Sequence, residues 1–290
     1  MALVAGGSAV ALACGSETTA ISPTATTAPS LSPTVAPTTA PAVSGGDSIE
    51  YGPIESEADG ETLFGYLSRP TLLGPHPAIV VVHEGQGLLR HFHDVTRRYA
   101  REGYVALAID MLSRQGGADA FAGGNEMRAA LSRIPQAQVV YDGNAAVRFL
   151  QDQSYVWRDR VGATGFCFGG SIVWLMAVGN PELRAAVPFY GSAPPLEDVA
   201  DMQVPVLEIY AGEDSRINAG VPNLEAELMA QQKDYKLVTY PGANHAFFNG
   251  TGGRLPPPGG GRGLAGSPRL VRRPSHGHLS PRLLQHRDSG

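Results

Sequence analysis

The chain has 290 residues, 43% of them hydrophobic, which is enough for a globular core of one or two domains. Only 17% are charged and the formal net charge is -5, so the electrostatic footprint of a nucleic-acid binder is missing. With 36 Gly and 23 Pro, part of the sequence is expected to lie outside any folded domain.

Residues 3–13 are a short apolar run of small side chains, too short to cross a bilayer. The run reads as the end of a secretory signal, and the Ala13-Cys14 junction resembles a lipoprotein signal in which Cys14 becomes the lipidated first residue. No Lys or Arg precedes it, a departure from that pattern. The expectation is an exported protein held at the cell surface or in the periplasm by a lipid on Cys14; the alternative is a cytoplasmic protein with an Ala-rich leader. Residues 15–47 are mostly Thr, Ala, Pro and Ser, which cannot bury a core and read as a linker. The organisation is thus a signal-like segment 1–14, a linker 15–47, a folded domain 48–249 and an atypical tail 250–290.

The domain opens with alternating apolar and polar residues over 49–70 around Asp59-Gly60, the pattern of two antiparallel strands. Residues 77–83 form a continuous apolar run, hence a buried central strand, ending in the Gly-rich loop His83-Glu84-Gly85-Gln86-Gly87. A helix over 91–102, a strand over 104–110 and helices over 125–134 and 136–153 follow. Strands are expected at 160–164, 184–190, 205–211 and 235–240, with helices at 171–178 and 223–233. Strands alternating with helices predict an α/β fold, a mostly parallel central sheet with helices on both faces. The polar residues Glu84, Arg114, Cys167, Asp214 and His245 each follow a strand, so they converge on the carboxyl edge, where such sheets bind ligands. That is the α/β-hydrolase arrangement.

The organising stretch is Gly165-Phe166-Cys167-Phe168-Gly169, the G-x-S-x-G nucleophile elbow with cysteine in place of serine. Glycines flank the nucleophile because side chains would clash on the sharp strand-to-helix turn, and the following helix aims its N-terminus at the sulfur, favouring a thiolate. A thiol nucleophile needs a base, and the base needs an orienting carboxylate. In chain order the base is His245, just past the last strand, and the acid is Asp214, with Glu213 as the alternative. His76, His83, His91 and His93 do not fit that order, and His91 with His93 lacks a third metal ligand. The oxyanion hole should use the backbone N–H of Phe168 and that of Gly85. The two cysteines, Cys14 and Cys167, lie in unlike contexts, so no intramolecular disulfide is expected.

These residues resemble the dienelactone hydrolase family over about 49–249: His83-Glu84-Gly85, Asp110 with Ser113-Arg114-Gln115, Gly165 to Gly170, Tyr190-Gly191, Gly212 to Asp214, and His245. The resemblance implies that Cys167, Asp214 and His245 form a triad. It implies that Glu84 contacts the thiol and restrains it until an anionic substrate displaces the carboxylate, that Arg114 binds the substrate's carboxylate, and that Tyr190 belongs to the substrate site. The sequence departs from the family at Asn249, where a second carboxylate-binding arginine stands, and at Ala118, where an aromatic residue stands.

From residue 250 the composition changes: 7 arginines, the single acid Asp288, and no Phe, Tyr, Trp, Ile or Met. Pro256-Pro257-Pro258 and the glycines after them forbid the helix that the family carries there, so a shifted reading frame is expected, with a natural basic tail as the alternative. The function expected is hydrolysis of a small-molecule ester or lactone through a thioester, with no cofactor, no metal, no nucleic acid, and a monomeric chain. The alternatives are an inactive ligand-binding lipoprotein and a peptidase or acyltransferase on the same fold.

Overall fold

The computed structural model describes residues 48–250. The signal-like segment, Cys14, the linker and residues 251–290 lie outside the described residues. Strands β1 (Ile49–Ala58) and β2 (Glu61–Pro70) form a hairpin closed by Asp59 and Gly60. Both turn residues have positive φ, 56° and 75°, the geometry that follows the right-handed twist of paired strands. The remaining strands are β3 (His76–Val82), β4 (Val105–Ile109), β5 (Val156–Phe166), β6 (Ala186–Phe189), β7 (Val206–Ala211) and β8 (Tyr235–Tyr240). The sheet order is β1-β2-β4-β3-β5-β6-β7-β8; β1 and β2 are antiparallel and β4 through β8 run parallel.

The helices are α1 (Arg90–Arg101), α2 (Gly124–Leu131), α3 (Gln136–Gln151), α4 (Phe168–Gly179), α5 (Ser215–Asn218) and α6 (Val221–Ala230). They cover both faces, which explains why the central strands are apolar on both sides. Along β3 the faces alternate. Ala78, Val80 and Val82 join a core with α2, α3, α4 and α6, whereas Ile79 and Val81 join one with Phe92, Val95 and Tyr99 of α1 and with Phe247 and Phe248. The fold class is therefore the one expected. The differences are local: β5 begins at Val156, α4 begins at Phe168, and 3-10 turns occupy Ser113–Gln115, Ala118–Ala120 and Leu196–Asp201.

Candidate active site

The strands β3, β5, β7 and β8 carry the site at their carboxyl ends. β5 stops at Phe166, and Cys167 takes φ 55° and ψ -110°, a conformation that L-residues rarely adopt and that holds about 1–3 kcal/mol of strain. The glycines on either side make this turn possible. A Cβ on Gly165 would stand 2.1 Å from the Gly169 carbonyl oxygen, and one on Gly169 would stand 2.3 Å from that of Val82. The elbow is thus pressed, backbone to backbone, against the end of β3. The thiol that results is free and half-buried.

Two loops bring His245 and Asp214 to it. Asp214 caps α5, its Oδ1 accepting from the Ile217 N–H at 3.3 Å, and its Oδ2 is hydrogen-bonded to His245 Nδ1. A carboxylate accepts, so Nδ1 carries the proton and Nε2 is left for the hydrogen bond between His245 and Cys167. The bond to Cys167, and then the one to Asp214, hold the imidazole above its ordinary value of 6.5, against the opposing effect of burial. Glu213 is exposed and is not the partner.

Glu84, just past the end of β3, is buried, and its carboxylate accepts from two side chains among the described residues. The Tyr190 hydroxyl donates to Oε1 at 3.3 Å and the Asn249 amide to Oε2 at 3.1 Å. Burial first, then the nearby charges of Glu84 and Cys167, push the Tyr190 hydroxyl well above its usual range, so it stays a donor at neutral pH. Tyr190 itself has φ 40°, which places its ring 5.1 Å from that of His245. Asn249, the position where the sequence departs from the family, is therefore inside the site. The Gly85 and Phe168 N–H groups donate to no protein acceptor among the described residues.

These groups line a cavity of about 790 Å³. Arg114 is not among its walls, which corrects the substrate-carboxylate role expected for it. Its Nε and Nη2 form a two-pronged ion pair with Asp142 of α3, Nη2 at 2.8 Å, and Nη2 also approaches the Ala58 carbonyl oxygen. The cavity instead holds Arg128 of α2 and Arg216 of α5, both exposed and without an ion pair among the described residues. Sequence reasoning missed both. Arg216 stands two residues after Asp214, and that proximity to the acid loop was the available signal. Arg128 had none, because its place depends on how α2 folds over the loop of Gly85.

A cysteine elbow after β5, a carboxylate after β7 and an imidazole after β8 of such a sheet define a hydrolase of the α/β-hydrolase fold. The dienelactone hydrolase family model matches residues 63–254, and the chain belongs to that family, which makes it a hydrolase of ester or lactone bonds. A Yersinia pestis protein assigned as a carboxymethylenebutenolidase is 33% identical over 219 residues, covering 69% of this chain and 79% of the relative. A Methylorubrum extorquens protein with the same assignment is 37% identical over 194 residues, covering 63% of this chain and 67% of the relative. The crystal structure of a Klebsiella pneumoniae protein assigned as a dienelactone hydrolase superposes with a TM-score of 0.73 at 29% identity, covering 79% of this chain and all (100%) of that one.

Proposed function

We propose that this hydrolase cleaves a small-molecule ester or lactone through Cys167, His245 and Asp214, by way of a thioester. The observation that carries this reading is the hydrogen-bonded series from Cys167 through His245 to Asp214, built on a strained elbow. His245 Nε2 takes the thiol proton as the sulfur attacks the carbonyl carbon. The oxyanion forms between the unused N–H groups of Phe168 and Gly85. Collapse breaks the ester C–O bond, and the leaving oxygen takes the proton from His245. Water, deprotonated by the same nitrogen, then attacks the thioester and releases the acid, regenerating the thiol. Asp214 keeps the proton on Nδ1 and stabilises the imidazolium.

In this reading Glu84 places a negative charge on the wall facing the thiol and restrains the thiolate. With Arg114 bound to Asp142, an acid group on the substrate meets Arg128 and Arg216 instead. Export with a lipid on Cys14 is part of the proposal, supported by the Ala13-Cys14 junction. Detergent phase partitioning of the expressed protein tests it, and recovery from the soluble cytoplasm would refute it.

The test of the chemistry is turnover of dienelactone and p-nitrophenyl acetate by the purified protein beside Cys167→Ala. The expected result is a rate that falls to background in the variant, a loss of about 10³-fold or more. Equal rates in the two proteins would sink the triad. Dienelactone and acetate both inert in a folded sample would favour the inactive ligand-binding reading.

A further inference from the structure

His83 is a buried imidazole that the reaction above does not use. It ends the run of β3 and is completely shielded from solvent, with the rings of Phe92 and Phe168 nearby, at centroid distances of 6.2 and 6.4 Å. Both nitrogens are engaged. The Met111 N–H donates to Nε2 at 3.0 Å, and Nδ1 lies 2.7 Å from the carbonyl oxygen of Glu84. Because Nε2 accepts, the proton sits on Nδ1 and is donated to that carbonyl. The nearby Asp110 does not compete for the ring. Its oxygens accept from the N–H groups of Leu112 at 2.9 Å and Ala118 at 2.6 Å, and Oδ1 is 3.8 Å from Nε2, beyond hydrogen-bond reach.

The Glu84 carbonyl and the Gly85 N–H belong to one planar trans peptide, so they point in opposite directions. A bond that fixes the carbonyl inward, toward the core, fixes the N–H outward, toward the cavity that Gly85 lines. The Gly87 N–H adds a second bond to the same carbonyl at 3.1 Å and closes the turn, but it lies within the loop and cannot tie it to the sheet. His83 can, because its ring also receives the Met111 N–H from the end of β4. We propose that His83 is a positioning residue that aims the Gly85 N–H at the oxyanion by clamping the Glu84–Gly85 peptide to the core. This rests on the triad reading above, in which Gly85 serves the oxyanion.

Two substitutions in the full-length protein test it. Both strip the Met111 N–H of its acceptor. His83→Asn keeps a donor close to the Nδ1 position but leaves a void. His83→Leu fills the site and supplies no donor. The clamp predicts that His83→Leu lowers kcat about 10–100-fold with KM little changed, and that affinity for an aldehyde forming a hemithioacetal on Cys167 falls by the same factor. Alkylation of Cys167 by iodoacetamide, which needs no oxyanion hole, keeps its rate in both variants. His83→Asn recovers most of kcat although it is the less well packed of the two. A purely structural role predicts the reverse order, with activity following melting temperature. The clamp is overturned if His83→Leu keeps the wild-type kcat, if His83→Asn falls as far as His83→Leu, if alkylation slows in parallel with kcat, or if neither variant folds. A wild-type protein without Cys167-dependent turnover would overturn the triad and this inference together. Turnover in the wild type with an unimpaired His83→Leu would overturn this inference alone.

Discussion

The loops after β3 and β4 leave neighbouring parallel strands at the same edge of the sheet, and each carries a charged residue that the family resemblance singles out. They use it in opposite ways. The loop after β3 places Glu84 in the cavity, where the Tyr190 hydroxyl and the Asn249 amide donate to its carboxylate. The loop after β4 turns Arg114 onto Asp142, where a full opposite charge neutralises it outside the cavity. The difference lies in where each loop turns its side chain. A charged group turned into the cavity lies where a ligand binds, whereas one locked onto a buried counter-ion becomes part of the scaffold.

The largest test of this contrast is Gly169→Ala. The loop after β3 is fixed because the elbow packs on it without an intervening side chain, and a methyl group 2.3 Å from the Val82 oxygen would force them apart. A loss of about 3 kcal/mol in chemical denaturation, with activity gone, is expected. A stable and active variant would show that the contact is loose. Next, Arg114→Gln leaves Asp142, a residue 5% exposed, without its counter-ion. Stability should fall by about 2 kcal/mol while kcat/KM stays close to that of the wild type. The opposite outcome, a stable protein with a poor kcat/KM for acid-bearing esters, would return Arg114 to the substrate.

Glu84→Gln is the complementary experiment. It replaces the carboxylate by a neutral amide of the same shape on the cavity wall shared with Cys167, so iodoacetamide should alkylate Cys167 about tenfold faster, with little change in melting temperature. Slower alkylation would reverse the role given to Glu84. The smallest effects are pH slopes. The folded-state pKa of His245 lies above 6.5, so its contribution to stability is complete below pH 6.5 and is lost as the pH rises through the folded value. The gap in melting temperature between wild type and His245→Gln should therefore narrow on the alkaline side. Burial depresses His83 despite Asp110, so its contribution runs the other way and is lost as the pH falls below 6.5. Two histidines with slopes of the same sign would contradict these assignments.

Much of this was legible in the sequence because the signals were long or sterically strict. A short, β-branched apolar run such as residues 77–82 favours a doubly covered strand, and the glycines around Cys167 leave little choice but a tight turn. Chain order then points to His245 and Asp214, two side chains that lie in hydrogen-bond contact. What escaped was too short or too dependent on tertiary contact. The turn Ser113–Gln115 and the helix α5 lack the length to show a period, and they decide where Arg114 and Arg216 point. Asp142 reads as an ordinary polar position on α3, and nothing local says that it will meet an arginine 28 residues away in sequence. The substitution at Asn249 was visible, but the bond it makes to Glu84 was not.

The placement of β3 between β4 and β5 has a consequence for biosynthesis. Although β3 is made early, one of its flanks stays open until Val156–Phe166 has left the ribosome, so the centre of the sheet closes late and through distant contacts. The thiol emerges at that moment, but its imidazole follows β8. At about 5–20 residues per second the nascent protein carries an unpaired nucleophile for several seconds. A chain released before Tyr235 would hold the sulfur and the carboxylate of the site without the histidine between them.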